Sequence, residues 1–211
     1  VRLNTFDAAV WFLLGRAYAA TGEPDRAIGA LDCVVTLSSD PALRAEAHVR
    51  AARLLLESAP RSVEPALARF QAALAIDPRL AEALAGEAEL YARTGRFEDA
   101  SAAFERAFHS VTPGPGGNAE RRRLLLAEAD RSRDRGSPEA ARELLERALG
   151  YGEDREVLDR VAALAEAEGR HADAEEALGR LAALGDVSAL PRRARALLRL
   201  GDPASALEVV Q

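Results

Sequence analysis

Lysine and methionine are absent from this chain of 211 residues, cysteine occurs once, and aromatic residues make up only 5%. Cys33 alone can form neither an internal disulfide nor a multi-cysteine metal site. The shortage of aromatic and β-branched residues disfavours strands. No apolar run reaches the roughly 20 residues of a membrane-spanning helix, so direct insertion into a bilayer is not expected. The formal charge of −6 and pI near 5.3 argue against a nucleic-acid partner, which calls for a basic stripe. The chain begins with Val1 rather than Met, so the lack of a leader pattern leaves the compartment open, cytoplasmic or periplasmic. All 28 basic residues are arginine, which reads first as a GC-rich, bacterial coding bias and second as a stock of rigid bidentate donors.

What is present favours helix. Apolar residues make up 48% and charged residues 29%, enough for a sizeable core. Ala, Leu, Arg and Glu dominate, and all are strong helix formers. The expected fold class is all-α.

An internal period organises these residues. Gly22, Gly95, Gly136, Gly169 and Gly201 are each followed five residues later by an alanine: Ala27, Ala100, Ala141, Ala174 and Ala206. Four residues further stand Leu31, Phe104, Leu145, Leu178 and Val210. Seven residues before each glycine lie Gly15, Ala88, Ala129, Ala162 and Ala194, and four before lie Tyr18, Tyr91, Ser132, Ala165 and Leu197. One more unit, second in chain order, lacks its glycine but keeps Ala66, Phe70, Ala73 and Pro78 in register. Successive register alanines are 39, 34, 41, 33 and 32 residues apart, and the two long steps carry the insertions "SAPRSVE" and "TPGPGGN".

Offsets of three, four and seven place residues on one helical face. Each unit therefore predicts a helix A, a tight turn and a helix B. The glycine falls just past helix A, where a left-handed backbone is cheap. Pro24, Pro138 and Pro203 follow two residues later, at the first turn of helix B. The small residues let two helices approach, and a larger side chain at Ala100 is expected to overpack that contact. Helix A of the second unit, about Leu43 to Glu57, has no clear motif of its own.

This pattern resembles the tetratricopeptide repeat. The first unit carries Trp11, Leu14, Gly15, Tyr18, Ala27 and Leu31 at the family's positions, and the third carries Tyr91, Gly95, Ala100, Phe104 and Ala107. The fourth, fifth and sixth keep glycine and alanine but lose the aromatics. The resemblance implies one repeat domain over residues 1–211, a right-handed α-solenoid of stacked antiparallel helix pairs with units at 8–41, 42–80, 81–114, 119–154, 155–186 and 187–211. Helix B of the last unit reaches Gln211 without a polar cap, so we expect a longer parent chain or self-association through that repeat.

No constellation for catalysis, cofactor or metal binding is expected. "GPGGNA" at Gly114 to Ala119 follows a helix rather than a strand, so it reads as an inter-repeat loop and not as a phosphate cradle. His48, His109 and His171 are scattered without metal-ligand spacing. Arg121, Arg122 and Arg123 form the densest basic run, a solvated face or a contact for an acidic partner.

The resemblance implies that helix A residues line a concave binding side. The positions so marked are Phe12 and Arg16; Glu89 and Arg93; Leu126, Asp130, Arg133 and Asp134; Asp159 and Glu166; and Arg195 and Arg199, with Glu82, Arg123 and Glu156 extending the row. Family members that hold acidic chaperone tails use a Lys and Asn clamp. Here lysine is absent and Arg16 replaces the first Asn, so that role is not expected. The expectation is a non-catalytic scaffold for a protein or peptide partner, serving assembly of a bacterial pilus, secretion or polysaccharide-export complex. The alternative is a regulatory or sensor region of a larger signalling protein, transcriptional regulator or enzyme.

Overall fold

The computed structural model describes residues 7–59, 61 and 63–209. Among these residues there are twelve helices and no strand. In chain order they are α1 (Ala8–Ala20), α2 (Pro24–Leu37), α3 (Pro41–Ser58), α4 (Val63–Ile76), α5 (Ala81–Arg93), α6 (Phe97–Ser110), α7 (Pro115–Asp134), α8 (Pro138–Leu149), α9 (Arg155–Ala167), α10 (His171–Ala183), α11 (Ala189–Arg199) and α12 (Pro203–Val209). Each odd-numbered helix packs on the even-numbered helix that follows it. The chain divides into two compact bodies, each of several repeats: unit 1, Val1–Thr112 with α1 to α6, and unit 2, Pro113–Gln211 with α7 to α12. Each unit is a sequential stack of three helix pairs, an α-solenoid pattern.

The turns explain why the glycines recur. Gly22, Gly95, Gly136, Gly169 and Gly201 all have φ between 70° and 80°. The N–H of the residue after each glycine donates back to the carbonyl of Tyr18, Tyr91, Ser132, Ala165 and Leu197 respectively, at 2.8–3.0 Å. These are the register positions four residues before the glycine, so each helix A closes with a Schellman-type cap. At the other end, the Asp7, Asp40 and Asp154 carboxylates accept from the N–H groups of Ala9, Ala42 and Val157, satisfying orphan donors at three helix starts. Pro24 and Pro138 sit at the first turn of α2 and α8, where the missing N–H costs nothing.

The register alanines lie in the packed interior. Ala27, Ala66, Ala100, Ala141, Ala174 and Ala206 are all buried. Their large partners Leu31, Phe70, Phe104, Leu145 and Leu178 are buried beside them, while Val210 lies outside the described residues. In unit 1 Phe70 is wholly buried and its ring lies against the backbone of α5. A Cβ on Gly86 would stand 2.3 Å from Phe70 Cζ, so this glycine is required by space and not by its dihedrals.

One expected loop is helix instead. α7 begins at Pro115 and takes in Gly116, Gly117 and Asn118. Pro115 supplies the preset φ of a first helical turn, and the Asn118 N–H donates to the Gly114 carbonyl at 2.7 Å, which offsets the poor propensity of the glycines.

Candidate partner-binding face

In unit 1 the A helices α1, α3 and α5 enclose a cleft of about 270 Å³. Its floor is small and apolar. Gly15 faces Leu31, and a Cβ at Gly15 would lie 3.1 Å from Leu31 Cγ. Its walls are charged side chains from all three helices. Arg50 pairs with Glu46 one turn earlier at 2.7 Å and stands 5.2 Å over the Phe12 ring. Arg53 reaches from α3 to Glu82 on α5 at 2.8 Å. Arg16 lines the same cleft, is exposed, and has no ion pair among the described residues. Glu89 pairs along α5 with Arg93 at 3.6 Å.

A second hollow of about 500 Å³ adjoins the first, between the start of α3 and the turn joining α4 to α5. Ala42, Ala45, Ile76 and Leu80 make it predominantly apolar, and Glu46 and Glu82 belong to both hollows. Every charged residue lining it is a carboxylate: Glu46, Asp77 and Glu82.

Sequence reasoning placed Phe12, Arg16, Glu89 and Arg93 on this face but missed Glu46, Arg50 and Arg53. All three missed residues are on α3, whose unit lacks the glycine from which positions were counted. The apolar spacing of Ala45, Val49 and Ala52, all buried, was the available signal for its inward face.

In unit 2 the A helices α7, α9 and α11 carry the remaining marked positions. Arg160 on α9 binds Asp130 on α7 at 2.9 Å and Glu156 at 3.1 Å. Arg133 binds Asp130 at 3.3 Å and Asp134 at 3.0 Å. Arg192 on α11 bridges Asp159 and Glu166 on α9, at 2.5 Å and 2.8 Å. Hydrogen bonding by Glu166 outweighs burial and, with Asp159, makes this guanidinium more basic than usual. Leu126, expected at the groove, is only 3% exposed and belongs to the core. It lies one residue from the register position at Leu125, on the inward arc of α7. Arg195 and Arg199 line a separate hollow of about 410 Å³ with Glu166 and His171. Sequence reasoning placed neither Arg160 nor Arg192, which tie the marked carboxylates together, on the binding face.

The arginine run is also committed. Arg122 pairs with Asp154 at 2.7 Å, and Arg123 with Glu120 at 2.7 Å. Arg121 stands over the Tyr151 ring at 5.7 Å. Cys33 is half-buried, and His109 is exposed beside Glu105 at 3.5 Å. No group of three or more His, Cys, Asp or Glu among the described residues could hold a metal ion, and no described helix is long and apolar enough to cross a membrane.

Residues 63–111, from α4 to just past α6, match the family model of the tetratricopeptide repeat. No curated protein matches the chain. In structure it is similar to PilF of Pseudomonas aeruginosa, with 23% identity, a TM-score of 0.70, and coverage of 96% of this chain and 88% of that one. It is similar to PilW, a type IV pilus biogenesis factor, with 19% identity, a TM-score of 0.68, and coverage of 96% and 90%. It is also similar to a tetratricopeptide repeat protein from Parabacteroides merdae, with 15% identity, a TM-score of 0.66, and coverage of 96% and 77%. The chain therefore has the tetratricopeptide-repeat fold, and its segment 63–111 is a tetratricopeptide repeat in sequence as well.

Proposed function

We propose that this chain is a non-catalytic protein-interaction scaffold that takes a segment of a partner protein on the helix A face of unit 1. The observation that carries this reading is the cleft between α1, α3 and α5, with its apolar floor at Gly15 and Leu31 and its charged walls. A concave, partly apolar site with a few fixed polar groups suits recognition of a peptide segment. The net acidity of the chain supports a protein partner over nucleic acid. Similarity of fold to PilW supports a place in the assembly of a bacterial surface complex, with secretion and polysaccharide export as related settings.

The test is site-directed photocrosslinking in the native host. A photoreactive residue at Ala19, which lines the cleft, is expected to capture a protein partner. The same residue at Ser101, exposed on helix B of unit 1, is expected to capture none. Arg16→Glu is expected to reduce the Ala19 adduct. Equal adducts from both positions, or adducts from Ser101 alone, would reject the helix A face.

A further inference from the structure

The two hollows of unit 1 differ in chemistry although they share a wall, and the difference specifies what the proposed face can hold. The larger one, beside the turn joining α4 to α5, is mostly apolar, and the charged residues that line it are all carboxylates. The cleft beyond it contains every cation of the pair: Arg16, Arg50 and Arg53. Glu46 and Glu82 stand on the boundary, and each is turned toward an arginine of the cleft by its ion pair. Asp77 lines the apolar hollow and not the cleft that holds these arginines, and it fixes its turn by accepting from the Arg79 N–H at 2.9 Å.

We propose that the apolar hollow is an anchor pocket for an extended partner segment that carries a large aliphatic or aromatic side chain next to a lysine or arginine. This rests on the reading of the helix A face given above. The anchor would cover Ala42, Ala45, Ile76 and Leu80, which lie around a space large enough for such a side chain. The adjacent cation meets Asp77, whose charge faces no arginine lining the hollow. An acidic neighbour is disfavoured at that point, because it would bring like charge to Asp77. The Arg16 end of the groove is free to accept a carboxylate further along the same segment, which gives the groove a direction.

The experiment pans a phage-displayed library of random dodecapeptides against the whole chain and measures the enriched peptides by fluorescence anisotropy. Enriched sequences are expected to place Leu, Ile, Phe or Trp within two positions of Lys or Arg. Ala42→Trp, an exposed position that would fill the hollow, is expected to weaken the best peptide by about tenfold or more, the scale of losing a buried anchor. Asp77→Asn should weaken it several-fold while thermal melts stay unchanged, which separates loss of charge from loss of fold. Ser101→Glu on helix B of unit 1 should have no effect. Enrichment of acidic peptides, or full affinity for the Ala42→Trp protein, overturns the proposal. A peptide displaced by Arg195→Glu and not by Ala42→Trp overturns it and moves the site to α11. Recovery of no peptide rejects an extended segment as occupant, and the Ala19 crosslink then decides the broader reading independently.

Discussion

In Pro113–Gln211, each A helix after the first sends an arginine back to carboxylates of the one before it. Arg160 binds Asp130, and Arg192 binds both Asp159 and Glu166. In Val1–Thr112 the tie runs the other way, forward from Arg53 on α3 to Glu82 on α5, and α1 meets α3 through the Arg50 guanidinium over Phe12. One helix-pair brick thus presents two kinds of surface. In unit 2 the marked charges of α7 and α9 are spent on ion pairs, so a partner would have to displace those contacts to use them. In unit 1 the charges line two hollows, and Arg16 is uncommitted. The backbone repeat sets where helices lie, while the polar residues between register positions decide whether a face is a strut or a site.

The comparison is broken most severely at the floor of unit 1. Phe70 is the largest wholly buried side chain and packs with residues of α3, α4 and α5. Phe70→Ala is expected to cost about 3–5 kcal/mol, and chemical denaturation will show whether unit 1 then melts ahead of unit 2. A loss confined to unit 1 is expected, and one concerted transition at lower denaturant would show that the units unfold together.

Overpacking the same stack should cost less. Gly86→Ala drives a Cβ into the Phe70 ring, and Ala100→Leu inserts a branched side chain at a position with no exposure. Each is expected to destabilise by about 1–3 kcal/mol. For Gly86→Ala the gain in helix propensity, about 1 kcal/mol, works against the clash. A melt equal to the parent for Ala100→Leu would mean that the alanine register is not where the helices touch.

The ion-pair faces separate the units at a finer scale. Arg192→Met removes two carboxylate contacts from a side chain only 23% exposed, and is expected to cost about 1 kcal/mol, falling with added salt. Arg53→Met removes one contact from a side chain 38% exposed, and should stay within about 0.5 kcal/mol. Equal costs would remove the distinction between strut and site.

The backbone plan was legible in the sequence because it is written in residues with few substitutes. A left-handed cap needs glycine, a close helix crossing needs alanine, and a first helical turn tolerates proline. The positions counted from those glycines fell on the expected helices. The face itself was less legible. Counting from glycine gave no purchase on α3, where the turn carries none, so Glu46, Arg50 and Arg53 went unseen. Nor does a count of offsets separate Leu126, on the inward arc of α7, from a residue facing solvent. The choice of partner for each arginine depends on side-chain reach between helices about 30 residues apart in sequence, as in Arg160 to Asp130 and Arg53 to Glu82, and no local pattern encodes that. Gly86 was missed for a related reason: its glycine answers to Phe70 on the preceding helix and not to its own backbone.

The smallest expected effect concerns His48, on α3 of unit 1. Its ring is half-buried and its Nδ1 has no hydrogen-bond partner. Burial first, and then the neighbouring Arg69 and Arg44, hold its pKa below the ordinary histidine value, while Asp32 pulls the other way. The unfolded chain therefore binds a proton at this histidine before the folded chain does. Its contribution to stability is complete above the unfolded value of about 6.5 and is lost as pH falls toward the depressed folded value. Stability of unit 1 is thus expected to decline as pH falls below about 7, beyond any decline in unit 2, and His48→Gln should flatten that slope. Urea titrations at several pH values will read it. A slope that survives His48→Gln would assign the proton to another group, and a slope of opposite sign would mean that Asp32, not burial, governs this ring.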